Sequence, residues 1–224
     1  MTISARLVST HIGQPASLGS SDGVQWFDAP WTSGIFKRAA DGPVAVSLTG
    51  LAGDGQADLV NHGGHDKAIC AYAADHYDYW RTRLSLGLAE FPYGAFGENF
   101  TLRHVTESDL CIGDTWSVGS LLVQVSQPRQ PCWKLARKWR LKTFADDVIK
   151  SGRTGWYFRV LEPAVVDVGD ACTLVDRPHP EWTIAAANAA MYTRPFQREA
   201  RAALAAVPLL SAAWQRTLSR ASSD

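Results

Sequence analysis

The stretch VQVSQPRQPCWKL, residues 123–135, decides how the rest of the chain is read. It joins an extended, β-branched run to a loop punctuated by Pro128 and Pro131, and then to a segment of helix-forming residues. Each proline fixes its own φ and keeps the preceding residue, Gln127 or Gln130, out of the helical region. Residues 127–132 are therefore expected to form a stiff loop. Pro131 suits a first helical turn, which places Cys132 near a positive helix end with Arg129 and Lys134 as neighbouring cations. Such surroundings favour thiolate, the form that attacks electrophiles and binds metals. A buried, inert thiol is the commoner role of a lone cysteine and stays open at this level.

Working outward, residues 121–126 read as the strand that feeds this loop, and residues 133–150 as a helix stopped by Gly152. Further short strands are expected at residues 5–9, 67–72, 96–102, 110–118, 155–161 and 171–175. Residues 33–37 and 44–48 look like the arms of a hairpin around the turn Ala40-Asp41-Gly42-Pro43. The turns Ile112-Gly113-Asp114 and Val168-Gly169-Asp170 each introduce a strand. Many short strands with Gly-Asp turns imply a closed or nearly closed barrel. Tyr77, Trp80 and Leu84 recur at helical spacing within residues 74–86. Beyond Arg177-Pro178-His179-Pro180 glycine disappears and alanine dominates, and three short helices are expected over residues 184–192, 196–206 and 211–220. The boundary is expected near residue 178, giving a barrel over 1–177 and a helical unit over 178–224. The apolar side chains of that unit are most simply read as packing among its helices or onto the barrel, ahead of a dimer interface, a cover for a pocket, or a contact with a partner.

Composition narrows the function classes. The 22 Lys and Arg balance 22 Asp and Glu, so charge gives no case for nucleic acid or an anionic membrane as partner. Locally, Arg129, Lys134, Arg137, Lys138, Arg140 and Lys142 run without an acidic residue among them. That suggests an anionic ligand or a solvated helix face, the latter being the better reading for residues 137–142. Four widely spaced cysteines, no CxxC pair and no signal-peptide pattern imply a reducing, cytoplasmic setting. No apolar run approaches the length that spans a bilayer.

The long segment over residues 50–64, GLAGDGQADLVNHGG, is too rich in glycine and short polar residues for a regular element and reads as a functional loop. Its glycines allow close backbone approach to a phosphate or a polar heterocycle. Three polar loops, residues 53–64, 97–99 and 127–132, each abut a strand end, where barrel proteins collect their sites. His62, His65 and Cys132 make zinc conceivable, although structural zinc usually shows two close ligand pairs and only one exists here. A cysteine hydrolase with Cys132 as nucleophile and His62 as base is a further possibility.

Taken together and in order, SGIFK, GLAGDGQADLVNHGGHDKAICAY, GENF, GD, QVSQPRQPCWKL and GWYFRVL resemble the MOSC domain family, named for the C-terminal domain of molybdenum cofactor sulfurase. The helical tail resembles the YiiM type of that family. The resemblance implies a mainly β fold with some helix, a MOSC-type β-barrel with flanking helices and a small C-terminal three-helix domain. It implies a molybdenum cofactor (molybdopterin) bound with Cys132 coordinating the metal. By motif position, Lys37 and Arg129 are candidates for its anionic groups. Asp54, Gln56, Asp58, His62, Gly63, Gly64, Asn99 and Gln127 are candidates for the pterin and the pocket wall, although Asp54 and Asp58 can instead brace the loop. Pyridoxal phosphate binding is a further association of the family. The activity implied is reduction of small N-hydroxylated substrates, such as hydroxylaminopurine-type base analogues, with Asp58 or His62 moving protons. No flavin, haem or iron–sulfur motif is visible, so a separate flavoprotein is the expected electron donor. A carrier that delivers cofactor or sulfur without turnover is the alternative, and a homodimer is compatible with either.

Overall fold

The computed structural model describes residues 4–220. The chain opens with β1 (Ser4–Ile12), β2 (Ala16–Leu18), β3 (Trp31–Ser33), β4 (Arg38–Ala39), β5 (Val44–Ser47) and β6 (Gly50–Leu51). A short helix α1 (Leu59–His62) leads to β7 (Ile69–Ala73) and α2 (Tyr77–Leu84). Next come β8 (Phe100–Arg103), β9 (Thr115–Val118) and β10 (Leu121–Pro128), then α3 (Trp133–Trp139) and α4 (Phe144–Ser151). The strands end with β11 (Trp156–Glu162), β12 (Ala164–Val166) and β13 (Ala171–Asp176). Helices α5 (Ile184–Tyr192), α6 (Arg198–Ala205) and α7 (Ala212–Arg220) follow.

Strands β13, β9, β10, β11, β7, β8 and β1 pair in that order, and β1 pairs back onto β13, so seven strands close into a barrel. Closure removes the exposed sheet edges that invite aggregation. Every pairing in the ring is antiparallel except β7 with β8. A parallel pair cannot be joined by a hairpin and needs a long crossover. Residues 74–99 supply it, carrying α2 and a run of aromatics. Inside the ring, alternate residues such as Leu121, Val123 and Val125 of β10 are fully buried.

Outside the ring a second cluster gathers Tyr72, Tyr77, Trp80, Phe91, Phe96, Leu135, Phe144 and Val148. Phe96 stacks on Tyr72 at 4.0 Å between centroids and meets Trp80 and Phe144 at 5.9 Å. This block fixes the crossover against α3 and α4. Beneath it Glu98, fully buried, accepts from the backbone N–H of Gly94 and Phe96 at 2.8 and 3.1 Å, from Thr101 Oγ1 at 3.0 Å, and from the Tyr77 hydroxyl. A buried carboxylate is tolerated only with such a set of donors.

Helices α5 to α7 share the barrel's own core: Ile184, Ala187, Leu204, Leu210, Trp214 and Leu218 belong to the cluster that contains the barrel interior. Thr183 caps α5 through its side-chain oxygen, as its position ahead of the alanine run predicts. Ser211 ties the start of α7 to β10, its N–H to Ser126 O at 2.9 Å and its hydroxyl to Gln127 Oε1 at 2.7 Å.

Three local expectations are corrected. Residues 33–37 and 44–48 do not form a hairpin: β4 pairs with β1, whereas β5 pairs with β6 and β12. Between β3 and β4 the chain runs as an irregular strap because Gly34 is pressed against the Gly55 carbonyl, where a Cβ would stand 2.5 Å from the oxygen. The expected helix over residues 133–150 is two helices. Arg140 adopts the left-handed region (φ 55°), and the N–H of Leu141 returns to Ala136 O at 3.0 Å, a closing motif that a periodicity argument does not see. The glycine-rich segment also holds β6 and α1 where a loop is expected.

Because Trp214 is fully buried in a core common to tail and barrel, Trp214→Ala is expected to cost roughly 3–5 kcal/mol. Chemical denaturation followed by barrel tryptophan fluorescence and by helical ellipticity should show one shared transition moving to lower denaturant. Loss of helical signal alone, with the barrel midpoint unchanged, would show that the two parts unfold independently.

Candidate functional site

The end of β10, the loop that follows it and the strap of residues 33–37 enclose a pocket of about 650 Å³, counting space continuous with solvent. That falls within the roughly 300–1,000 Å³ of small-molecule clefts. Ser33, Gly34, Ile35 and Lys37 form one wall, residues 54–57 a second, Phe96, Gly97 and Asn99 a third, and Arg129, Gln130, Cys132 and Lys134 the fourth. Cys70 and Tyr157, cross-strand partners on β7 and β11, form the floor beside His62 and Lys67.

Cys132 immediately precedes α3, its backbone extended and its side chain half-buried on the pocket. No disulfide engages it or the other three cysteines. Pro128 ends β10, and Arg129 N–H binds Gly155 O at 3.0 Å, so the loop leaves the barrel in a fixed direction. The Arg129 side chain is only 7% exposed. Its Nη2 donates to Phe96 O at 2.5 Å, while Nη1 is buried and meets no acceptor among the described residues. Burial opposes the charged guanidinium, but arginine holds its proton at any ordinary pH, and the Phe96 carbonyl and the field of the buried Glu98 act in its favour. Arg129 is thus a permanent cation with a spare donor at the pocket.

Four formal cations, Lys37, Lys67, Arg129 and Lys134, line the pocket against one carboxylate, Asp54, an excess of three positive charges in a chain whose total is zero. Low-dielectric walls focus such a field on an anion. Asp54 is spoken for: it forms a buried ion pair with Lys37, accepts from Gly13 N–H at 2.8 Å and from Asn99 Nδ2 at 2.8 Å. Asn99 in turn receives the Cys70 N–H at 3.1 Å and donates to His11 O at 3.2 Å. Asp54 and Asn99 are braces whose edges reach the pocket.

Burial, with Lys134 and Arg129 adding repulsion, lowers the His62 pKa to about 4 despite the opposing pull of Asp58. The imidazole is neutral near pH 7. An unfolded chain, with histidine near 6.5, takes up this proton first, so the contribution of this group to stability is intact above 6.5 and is lost as pH falls from there towards 4. Burial likewise pushes Tyr157 and Cys70 upward, Tyr157 with further opposition from the Cys70 and Cys132 thiols; both stay protonated donors at neutral pH.

Of the residues expected from the sequence, Lys37, Asp54, Gln56, His62, Asn99, Arg129 and Cys132 come together on this one pocket. Asp58, Gly63 and Gly64 lie outside its lining; Asp58 O, just ahead of α1, accepts the helical hydrogen bond from the His62 N–H at 2.9 Å. Gln127 is turned away, fully buried, holding Ser211 and the Pro128 carbonyl. His65 does not line the pocket, and no group of three or more His, Cys, Asp or Glu suited to a metal forms among the described residues, which removes the zinc reading. No helix of the described residues is long and apolar enough to cross a membrane. Sequence reasoning passed over Tyr157, Lys67 and the pocket-floor position of Cys70. Nothing local marks them; the register Tyr157↔Cys70 brings those two to the site, and Lys67 joins them from the turn ahead of β7.

An NMR titration of the imidazole resonances should place the His62 midpoint near 4, and a midpoint near 6.5 would show the ring to be solvated and free of its cationic neighbours.

The arrangement agrees with what the chain is similar to. A model of the MOSC domain matches residues 58–173, and one of the YiiM-like, 3-alpha helix domain matches residues 182–220. An uncharacterized protein of Bacillus subtilis, YflK, is 42% identical over 186 residues, covering 83% of this chain and 80% of that protein. A Gibberella moniliformis protein named "Reductase" is 38% identical over 154 residues; the match takes in 68% of this chain and 27% of that longer protein. The crystal structure of YiiM from Geobacillus stearothermophilus superposes with a TM-score of 0.79 at 37% identity, covering 96% of this chain and 98% of that one. With the barrel, the tail and the cysteine-bearing loop all matched, this chain belongs to the MOSC domain family and carries the YiiM-like three-helix extension.

Proposed function

We propose that the pocket holds a molybdenum cofactor and that the protein, supplied with electrons by a separate flavoprotein in the cytoplasm, reduces N-hydroxylated compounds. The observation that carries this reading is the pairing of Cys132 with the buried, half-satisfied Arg129 on one cation-rich pocket. A soft thiolate suits molybdenum, and a buried guanidinium with a spare N–H suits phosphate. The residues present therefore fit a group that is a metal at one end and an anion at the other. The reductase name of the fungal relative supports the reaction class, for the part of that protein this chain matches.

When bound, the cofactor supplies two-electron chemistry at its metal, by which an N–OH group with two electrons and two protons becomes N–H and water. The protein's part is binding, orientation and proton supply. Cys132 offers the sulfur ligand. Arg129 and Lys134 hold the anionic end, and Lys67 adds positive charge to the lining. Lys37, neutralised by Asp54, is left to stiffen the strap. Ile35 and Phe96 give apolar wall to a flat heterocycle, and Gly97 (φ 76°) keeps that wall open, since a Cβ there would stand 2.7 Å from Ile35 Cγ1. His62, neutral at pH 7, donates or accepts one hydrogen bond and is too weak a base to store a proton.

Loading the protein in a cofactor-competent host and measuring molybdenum by mass spectrometry tests this. Cys132→Ala should lose both metal and hydroxylamine reduction; full metal and full turnover in that variant would sink the proposal. Cofactor uptake with no reduction from any donor would instead favour a carrier. Arg129→Leu should retain cofactor about 10- to 100-fold less tightly, the equivalent of one charge-assisted hydrogen bond, and an unchanged affinity would remove Arg129 from the anion site. His62→Gln, which keeps a hydrogen bond but cannot titrate, should retain most of the turnover, and a collapse to the level of His62→Ala would assign His62 a proton-transfer role.

A further inference from the structure

Beside the pocket mouth lies a surface that the proposed reaction does not use. Trp133, next to Cys132, is 53% exposed, Phe36 on the strap 50%, and Trp26 40%. Such rings are not left loose. Trp31 bridges the first two, its ring 5.6 Å from Trp133 and 6.1 Å from Phe36. Arg137 lies over Trp133 at 4.9 Å and over Trp31 at 5.8 Å, and donates to Ala29 O at 2.9 Å; Arg140 lies over Phe27, which meets Trp26 edge-on. Lys138 ties α3 to the strap through Ile35 O at 3.2 Å and to the crossover through Gly94 O at 2.9 Å. The face is aromatic, rigid before any partner arrives, and rich in arginine, the composition of interface hot spots.

Its charge is one-sided. Lys134, Arg137, Arg140 and Lys142 project from α3 and the turn after it, and no acidic residue occurs between residues 129 and 142. Of the carboxylates on the flanking segments, Asp41 is paired with Arg38 at 3.1 Å and Asp147 with Arg83 at 3.3 Å, leaving Asp22, Asp28 and Asp146 against those four cations. Since the whole chain carries no net charge, the compensating acids lie elsewhere and the molecule presents an oriented field.

We infer that the face formed by α3, Trp133 and Phe36 is the docking surface for an acidic electron-carrier protein whose redox group lies at its own surface. The inference rests on the reductase reading above, which requires two electrons per substrate from outside the chain. Docking here sets the carrier against the one wall of the pocket that bears Cys132, so electrons enter without crossing the barrel. Reduced carrier is oxidised, and the two electrons with two protons convert N–OH to N–H and water.

The test uses the full chain, with and without cofactor, and a flavodoxin, a small acidic FMN protein, as probe. Calorimetry should detect binding that weakens with added salt and is at least tenfold weaker in the double variant Arg140→Glu, Lys142→Glu, whether or not cofactor is present. Flavodoxin-driven reduction of a hydroxylamine should fall by a similar factor in that variant, while reduction driven by methyl viologen, which needs no docking, stays unchanged. Absence of wild-type binding, equal binding by the variant, or tighter binding of a single-stranded oligonucleotide overturns the inference, the last in favour of a nucleic-acid surface. No turnover with methyl viologen in the loaded wild-type protein is the distinct result that removes the reductase reading and this one with it.

Discussion

A guanidinium sealed inside the protein with one arm satisfied and the other not is the constraint around which this structure is arranged. Arg129 reaches its place because Pro128 ends β10, because Gly155 O fixes the backbone of the loop, and because Phe96 O receives one of its nitrogens. Each of those partners is itself held. Phe96 sits in the aromatic block outside the barrel, and the loop that carries it is wound around the buried Glu98. A buried cation without a paired carboxylate is costly. The fold sustains the cost with the Phe96 carbonyl and the field of the buried Glu98, neither of which takes up the second donor arm. That leaves an unmet demand for an anion next to an available thiol.

The parts legible in the sequence were those whose cause is local. Prolines at 128 and 131 announce a stiff loop ahead of Cys132, and alternation in residues 121–126 announces its strand. Thr183 before an alanine run announces a capped helix. What escaped is non-local. Tyr157 and Cys70 come to the floor by strand register, and although Asp54 is foreseen as a possible brace, its pairing across the strap with Lys37, itself an expected ligand, is not. Gln127 resembles a pocket residue by its place in the motif, but it is the residue through which β10 holds the tail. The hairpin expected around residues 40–43 fails because turn chemistry says where a chain reverses, and tertiary pairing decides which strand receives it. The break at Arg140 is hidden for a similar reason: a left-handed non-glycine residue costs little enough that packing of Leu135 and Phe144 into one aromatic cluster can select it.

The apolar side chains of the three-helix tail pack as their pattern predicts, onto the barrel. Ser211, Arg159 and Asn188 add polar ties, Arg159 Nη2 to Leu209 O at 3.0 Å and Asn188 Nδ2 to Thr154 Oγ1 at 2.8 Å. Through Gln127 the tail buttresses the strand that ends at the cysteine loop. Its effect on the site is therefore one of stiffness, carried through β10, and the loop geometry at Cys132 depends on Ser211, 84 positions beyond its partner Gln127.

The central claim, that the sulfur of Cys132 is a ligand to molybdenum, is tested most directly by X-ray absorption at the molybdenum edge on protein loaded with cofactor. The account predicts one sulfur fewer in the metal's coordination shell in Cys132→Ser than in the wild-type protein. Identical shells in the two samples would contradict it.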